Sequence, residues 1–167
     1  MHAEHSPDSD IRDLGKLIQK IRIAMLTTRS AEGRLVSRPL YTKEIEFDGD
    51  LWFFTGLDTN KVHQLVADPQ VNVAYSEPSD QIFVSIDGRA EVVRDPGKIS
   101  ELWNETDSLY FKQGKSDPNL VLLRIRAETA ESWTSASTAI GRAFKFLKAR
   151  ATGDVSDLGE HKHVELT

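Results

Sequence analysis

Ile82-Phe83-Val84-Ser85-Ile86-Asp87-Gly88-Arg89-Ala90-Glu91-Val92-Val93 is the stretch on which the fold turns. β-Branched residues recur along it and predict one long strand over residues 82–93. Gly88, in its interior, predicts a bulge or bend of the kind that curves a sheet into a barrel. Immediately upstream, Val71-Asn72-Val73-Ala74-Tyr75 carries a second strand signal. Ahead of that strand, Thr59 or Asn60 can cap a short helix with Val62, Leu65 and Val66 on its inward face, stopped by Asp68-Pro69.

Further out, the Asp48-Gly49-Asp50 cluster marks a turn, because Asp tolerates turn geometry and Gly accepts positive φ. It feeds Leu51-Trp52-Phe53-Phe54-Thr55, an aromatic-rich strand. Residues 23–28 and 35–47, about the polar turn Ala31-Glu32-Gly33, predict a hairpin. Residues 10–21 place Ile11, Leu14, Leu17, Ile18 and Ile21 at helical spacing. Downstream, Pro96 suits the first turn of a helix reaching Trp103, and residues 121–133 alternate as a last strand through Leu123, Ile125 and Ala127. A C-terminal helix is expected at about 137–151. Antiparallel strands joined by short turns, with brief helices between them, predict a mainly β fold: a β-barrel with peripheral α-helices.

At 167 residues the chain is long enough for one real core, so a single domain over 10–152 is expected. A disordered leader at 1–9 and a weakly structured tail at 153–167 flank it. Hydrophobic content of 39% against 28% charged residues excludes a largely disordered chain. No apolar run approaches the roughly 20 residues needed to span a bilayer, and the first ten are too polar for a secretory signal, so a cytoplasmic location without membrane attachment is expected. The lack of cysteine removes disulfides, thiolate metal sites and cysteine nucleophiles together. A formal charge of −5 argues against general nucleic-acid binding.

Three features suit a phosphorylated aromatic ligand. Ser37-Arg38-Pro39-Leu40 offers a planar guanidinium fork beside a proline. Phe53-Phe54-Thr55-Gly56 ends a strand in a hydroxyl and a flexible residue. Asn60-Lys61 opens a helix, where a cation and free amides both favour phosphate. Each has a plain structural alternative: a surface cation at Arg38, core and interface faces at Phe53 and Phe54, a solvated Lys61. Their closeness in a three-strand and helix unit gives them joint weight.

No residue marks itself as an acid, base or nucleophile, so catalytic residues are unassigned. His161 and His163 would share a face if the tail were a strand, but without a third ligand no metal site is expected. Arg142, Lys145, Lys148 and Arg150 make the C-terminal helix basic, and a helix docked on the barrel with its charges in water is the preferred reading.

Taken together, Ser37-Arg38-Pro39-Leu40, Asp48 through Thr55, Asn60-Lys61-Val62, Asp68-Pro69-Gln70-Val71-Asn72-Val73, Tyr75 and Val84 through Val93 resemble the general stress protein 26-type pattern of the pyridoxamine 5′-phosphate oxidase-like superfamily. Leu102-Trp103, Asp117-Pro118-Asn119-Leu120 and Gly159-Glu160-His161 continue the resemblance, which covers nearly the whole chain from Ile11. It implies a split β-barrel of the FMN-binding type, a general stress protein, and a homodimer with the flavin at the subunit interface. Residue by residue, it implies that Arg38 and Lys61 hold the FMN phosphate with Thr55 and Asn60 assisting. The backbone of Pro39, Leu40, Phe53 and Phe54 would line the ring. Trp103 and Trp133 are candidates to cover the ring from the second subunit, with a core role as the alternative.

The chain end, Gly159 through Thr167, lacks the Arg-x-His arrangement with which pyridoxamine phosphate oxidases grip their substrate. The resemblance therefore carries flavin binding, with an FMN-dependent oxidoreductase as its activity, and counts against vitamin B6 oxidation. The substrate is left open. A binding or interaction module without redox turnover is the alternative, and FAD or a deazaflavin are alternative ligands of the same groove.

Overall fold

Alternation of buried and exposed side chains drives the strands into one antiparallel sheet whose inner face closes over a single main core. The computed structural model describes residues 7–135 and 159–166. Helix α1 (Pro7–Ile18) is followed by β1 (Ile23–Arg29), β2 (Leu35–Tyr41), β3 (Asp50–Gly56), α2 (Asn60–Ala67), β4 (Gln70–Glu77), β5 (Ile82–Val93), α3 (Pro96–Leu102), β6 (Leu120–Ser135) and β7 (Gly159–Glu165). Two short 3-10 turns, Glu105–Leu109 and Gly114–Ser116, lie between α3 and β6.

The hydrogen-bonded order is β2-β1-β4-β5-β6-β3, with β7 on β6 beyond β3. Strand β6 therefore pairs β3 along its first half and β7 along its second. The long β5 lies as expected, and its register against β6 shifts between Asp87 and Gly88, with Asp87 opposite Thr129 and Gly88 opposite Ala127. Glu128 is the extra residue. A Cβ on Gly88 would sit 2.3 Å from the Arg126 carbonyl oxygen, so only glycine permits β6 to approach here. Gly49 has a φ of +109° in the expected turn, where Asp48 accepts from the Asp50 amide at 3.1 Å.

Inward residues of β1 to β6 meet α1 and α2 in the main core, built around Leu26, Phe53, Val73, Ile86, Leu123 and Ile125. Val62 and Leu65 of α2 are buried there, but Val66, expected inward, is exposed. A second cluster under α3 joins Ile99, Leu102, Leu120 and Leu122 to Trp52, Phe54 and Trp103.

Some boundaries differ from expectation. Helix α1 begins at Pro7, inside the expected leader, and stops at Ile18, where the Ile21 amide turns back to the Ile18 carbonyl. Ile21 stays buried without being helical. Strand β2 ends at Tyr41 instead of Phe47, because Lys43 leaves the sheet to form a buried ion pair with Asp107 and lies 4.1 Å over the Phe54 ring. Part of the tail, expected to be weakly structured, forms β7 and buries Val164. The expected C-terminal helix, with its four cations, lies outside the described residues, as do residues 1–6. Among the described residues no helix is long and apolar enough to cross a membrane.

Candidate functional site in the split between the edge strands

The sheet's two ends, β2 and β3, each pair with one strand and come together beside α2. The β1–β2 hairpin sets Arg38 opposite Leu26, so its side chain leaves from the core face two residues along from Thr28. Alternation in β3 turns Leu51, Phe53 and Thr55 inward. Helix α2 then carries Lys61 and Gln64, three residues apart and thus on neighbouring positions of one face.

Arg38 donates from Nη1 to Thr28 Oγ1 at 2.5 Å and from Nη2 to Gln64 Oε1 at 3.0 Å. Thr28 Oγ1 donates to the same Gln64 oxygen at 2.7 Å. Lys61 Nζ donates to Thr55 Oγ1 at 2.8 Å. Every one of these acceptors is neutral. Among the described residues neither cation forms a salt bridge.

Burial pulls both cations down from their ordinary pKa values. For Lys61 the desolvation is reinforced by the charge of Arg38 and opposed by Asp58. The fold thus holds two partly desolvated positive charges within electrostatic reach of each other. An anion placed between them would relieve the repulsion and replace the lost hydration.

The α2 N-terminus adds to the positive potential. Thr59 is the N-cap residue, but its hydroxyl donates to the Gly56 carbonyl at 2.8 Å and leaves the first-turn amides uncapped by its side chain. Asn60 is the first helical residue, directly before Lys61. The turn before it is tied to the turn that leads into β6: Leu57 donates to the Asn119 carbonyl at 2.7 Å and Asp58 to Asn119 Oδ1 at 3.1 Å.

Of the residues singled out in the sequence, Arg38, Thr55 and Lys61 come together here, with Asn60 adjoining. Pro39 and Leu40 follow Arg38 on one sheet edge. Phe53 is buried in the main core, while Phe54 faces the second cluster, so neither side chain joins the group around Arg38. Trp103 packs on Phe54 at 5.9 Å between ring centroids. Trp133 is exposed on the outer face and stacks on His161 at 5.1 Å. Neither tryptophan belongs to the hydrogen-bonded group around Arg38. Sequence reasoning missed Thr28 and Gln64. Thr28 had a signal, since it is the polar member of the inward series Ala24, Leu26, Thr28. Gln64 had only its spacing from Lys61.

Comparison with solved structures gives the same architecture. The general stress FMN/FAD binding protein of Xanthomonas citri is 30% identical over 77% of this chain and 92% of its own, with a TM-score of 0.67. A Clostridium acetobutylicum protein related to general stress protein 26 of the pyridoxinephosphate oxidase family covers 97% of both chains at 14% identity and a TM-score of 0.71. General Stress Protein 26 of Bacillus anthracis covers 70% of this chain and 88% of its own at 22% identity and a TM-score of 0.63. These neighbours have the split-barrel fold, and this chain's open antiparallel sheet with its helices is of that fold. No curated protein matches the sequence. A family model described as pyridoxamine 5′-phosphate oxidase like matches residues 9–157, and with that span the chain belongs to the pyridoxamine 5′-phosphate oxidase-like family.

Proposed function

We propose that this protein binds FMN and works as a flavin-dependent oxidoreductase of the general stress type. The observation that carries the reading is the pair of partly buried cations, Arg38 and Lys61, whose hydrogen-bond partners among the described residues are all neutral. Such a pair fits the doubly charged phosphate of FMN. Thr55 and Asn60 assist at the phosphate, and the main chain at Pro39–Leu40 and Phe53–Phe54 lines the ring. The flavin, when bound, supplies the redox chemistry. The chain's own residues grip the phosphate, orient the ring and exclude water.

A homodimer completes the groove in this reading, with Trp103 and Trp133 reaching the ring from the second subunit. Its support is the outer face of the sheet, where Ile23 lies opposite Tyr41, Met25 opposite Pro39, and Phe83 opposite Trp133. Ile23, Met25, Tyr41, Phe83 and Trp133 are all exposed. The absence of cysteine suits a reducing cytoplasm, where we place the protein.

Replacement of both cations, Arg38→Ala with Lys61→Ala, is expected to weaken FMN binding by roughly 100- to 10,000-fold, from two lost charge-assisted contacts. Titration followed by quenching of flavin fluorescence reads it. Full affinity in the double variant would remove the site. Steady NADH or NADPH oxidation by the loaded protein supports the oxidoreductase; a bound flavin that no nicotinamide donor reduces moves the chain to a binding module.

A further inference from the structure

We infer that Gln64 and Thr28 are positioning residues that aim the Arg38 guanidinium at a phosphate while leaving its charge unspent, an inference that rests on the phosphate reading above. Arg38 can only donate, so Gln64 must present its amide oxygen. That oxygen accepts twice, from Arg38 Nη2 at 3.0 Å and from Thr28 Oγ1 at 2.7 Å. Thr28, whose own oxygen accepts from Arg38 Nη1, closes the triangle. It is 1% exposed, so its hydroxyl is fixed by the core of β1 and not by solvent. The guanidinium is thereby locked by one strand and one helix, with three of its five N–H donors uncommitted to either partner.

The chemical type of the lock matters as much as its geometry. A Glu at position 64 could accept the same two hydrogen bonds with nearly the same shape. It would also neutralise Arg38, and the site would forfeit its attraction for an anion. A neutral amide gives orientation without neutralisation. Lys61 is treated alike, its Nζ resting on a threonine hydroxyl instead of a carboxylate. The consequence is selection for a phosphomonoester dianion over the same ligand without its phosphate.

FMN and riboflavin share the ring and differ in the phosphate, so their affinities for the wild-type protein and for Gln64→Glu form the test. The wild type is expected to prefer FMN. Gln64→Glu is expected to lose about 10- to 100-fold in FMN affinity, with riboflavin unchanged and with thermal stability of the flavin-free protein equal or raised. Gln64→Met, which removes the acceptor without adding charge, is expected to lose less. A purely structural role predicts the reverse order, with Glu harmless and Met harmful, and that result overturns the inference. Unchanged FMN preference in Gln64→Glu does so too. Should Gln64→Glu not fold, Thr28→Val is expected to lower FMN affinity about tenfold with riboflavin unaffected, and Thr28→Ser to restore it; equal FMN affinity in Thr28→Val overturns the relay. A wild type that binds riboflavin as well as FMN removes the phosphate reading itself, and this inference with it.

Discussion

Replacing Lys61 by Met separates a binding role from a structural one, because the two predict opposite patterns. Met keeps the length and the apolar stem of lysine and removes its charge. In the flavin-free protein, the lost interaction is one hydrogen bond to a neutral hydroxyl, Thr55 Oγ1 at 2.8 Å, worth about 0.5–1.5 kcal/mol net. Against that loss stands relief. The Lys61 pKa is lowered first by desolvation and then by Arg38, so at neutral pH its charged form is less favourable in the folded chain than in the unfolded one. The two effects oppose, and the stability of the flavin-free variant is expected to stay within about 1 kcal/mol of wild type. With FMN, one charge-assisted contact to phosphate disappears, worth about 1.5–3 kcal/mol or roughly 10- to 150-fold in Kd. Urea unfolding without flavin and a fluorescence titration with FMN measure the two quantities on the same preparation. A fall in stability beyond about 2 kcal/mol together with unchanged FMN affinity would refute the argument and make Lys61 a structural residue.

Two further predictions concern the sheet. Gly88→Ala forces a methyl against the backbone of Arg126 and Ala127, at 2.3 Å from the nearest oxygen, and is expected to cost about 3 kcal/mol in denaturant unfolding, whereas ordinary stability would mean the bulge can relax. The attachment of β7 is expected to loosen with rising pH: Glu165, its neighbour on β7 at 3.0 Å from Nε2, and Glu131, across on β6 at 3.6 Å from Nδ1, raise the folded pKa of His163, and the Glu131 part ties β7 to β6. That attraction is fully present below the ordinary histidine value of about 6.5 and is lost as pH rises through the raised one. Amide exchange at Val164, corrected for the intrinsic rate, should therefore show less protection above neutrality than at mildly acid pH; the opposite trend would sink the assignment.

Much of the fold was legible because local chemistry and tertiary structure agree. The β-branched run of β5, the interrupting Gly88 and the Asp48-Gly49-Asp50 turn each say locally what the sheet requires. Misreadings fall where distant partners decide. Residues 42–47 carry β-branched and aromatic side chains, but after a last in-register bond from the Thr42 amide to the Arg22 carbonyl the chain leaves the sheet and Lys43 is drawn to Asp107, which no local pattern announces. Strand β7 is poor in apolar residues and rich in His and Glu. Its pairing is held by β6 on one side of the pleat and, on the other, by Lys162 reaching Asp10 of α1. A strand whose binding energy comes largely from ladder bonds and charge pairs has almost no hydrophobic period to read.

The candidate site was half visible for a related reason. Arg38, Thr55 and Lys61 stand out because cations and hydroxyls in or beside apolar strands are conspicuous in a sequence. Their convergence is not in the sequence. It depends on β2 and β3 being the two ends of one sheet, and on α2 reaching β2 through Gln64 and β3 through Lys61. Thr28 and Gln64 are harder to see: both are neutral, and apart from the inward register of Thr28 a neutral residue attracts notice only when its partner is known. Yet neutrality is the property the proposed phosphate site needs. Had the fold supported Arg38 with a carboxylate, the guanidinium would have had little charge left to offer a phosphate. A search for anion sites in sheets of this type therefore gains from looking for buried arginines whose partners are amides and hydroxyls, since these are the arginines whose charge is still available.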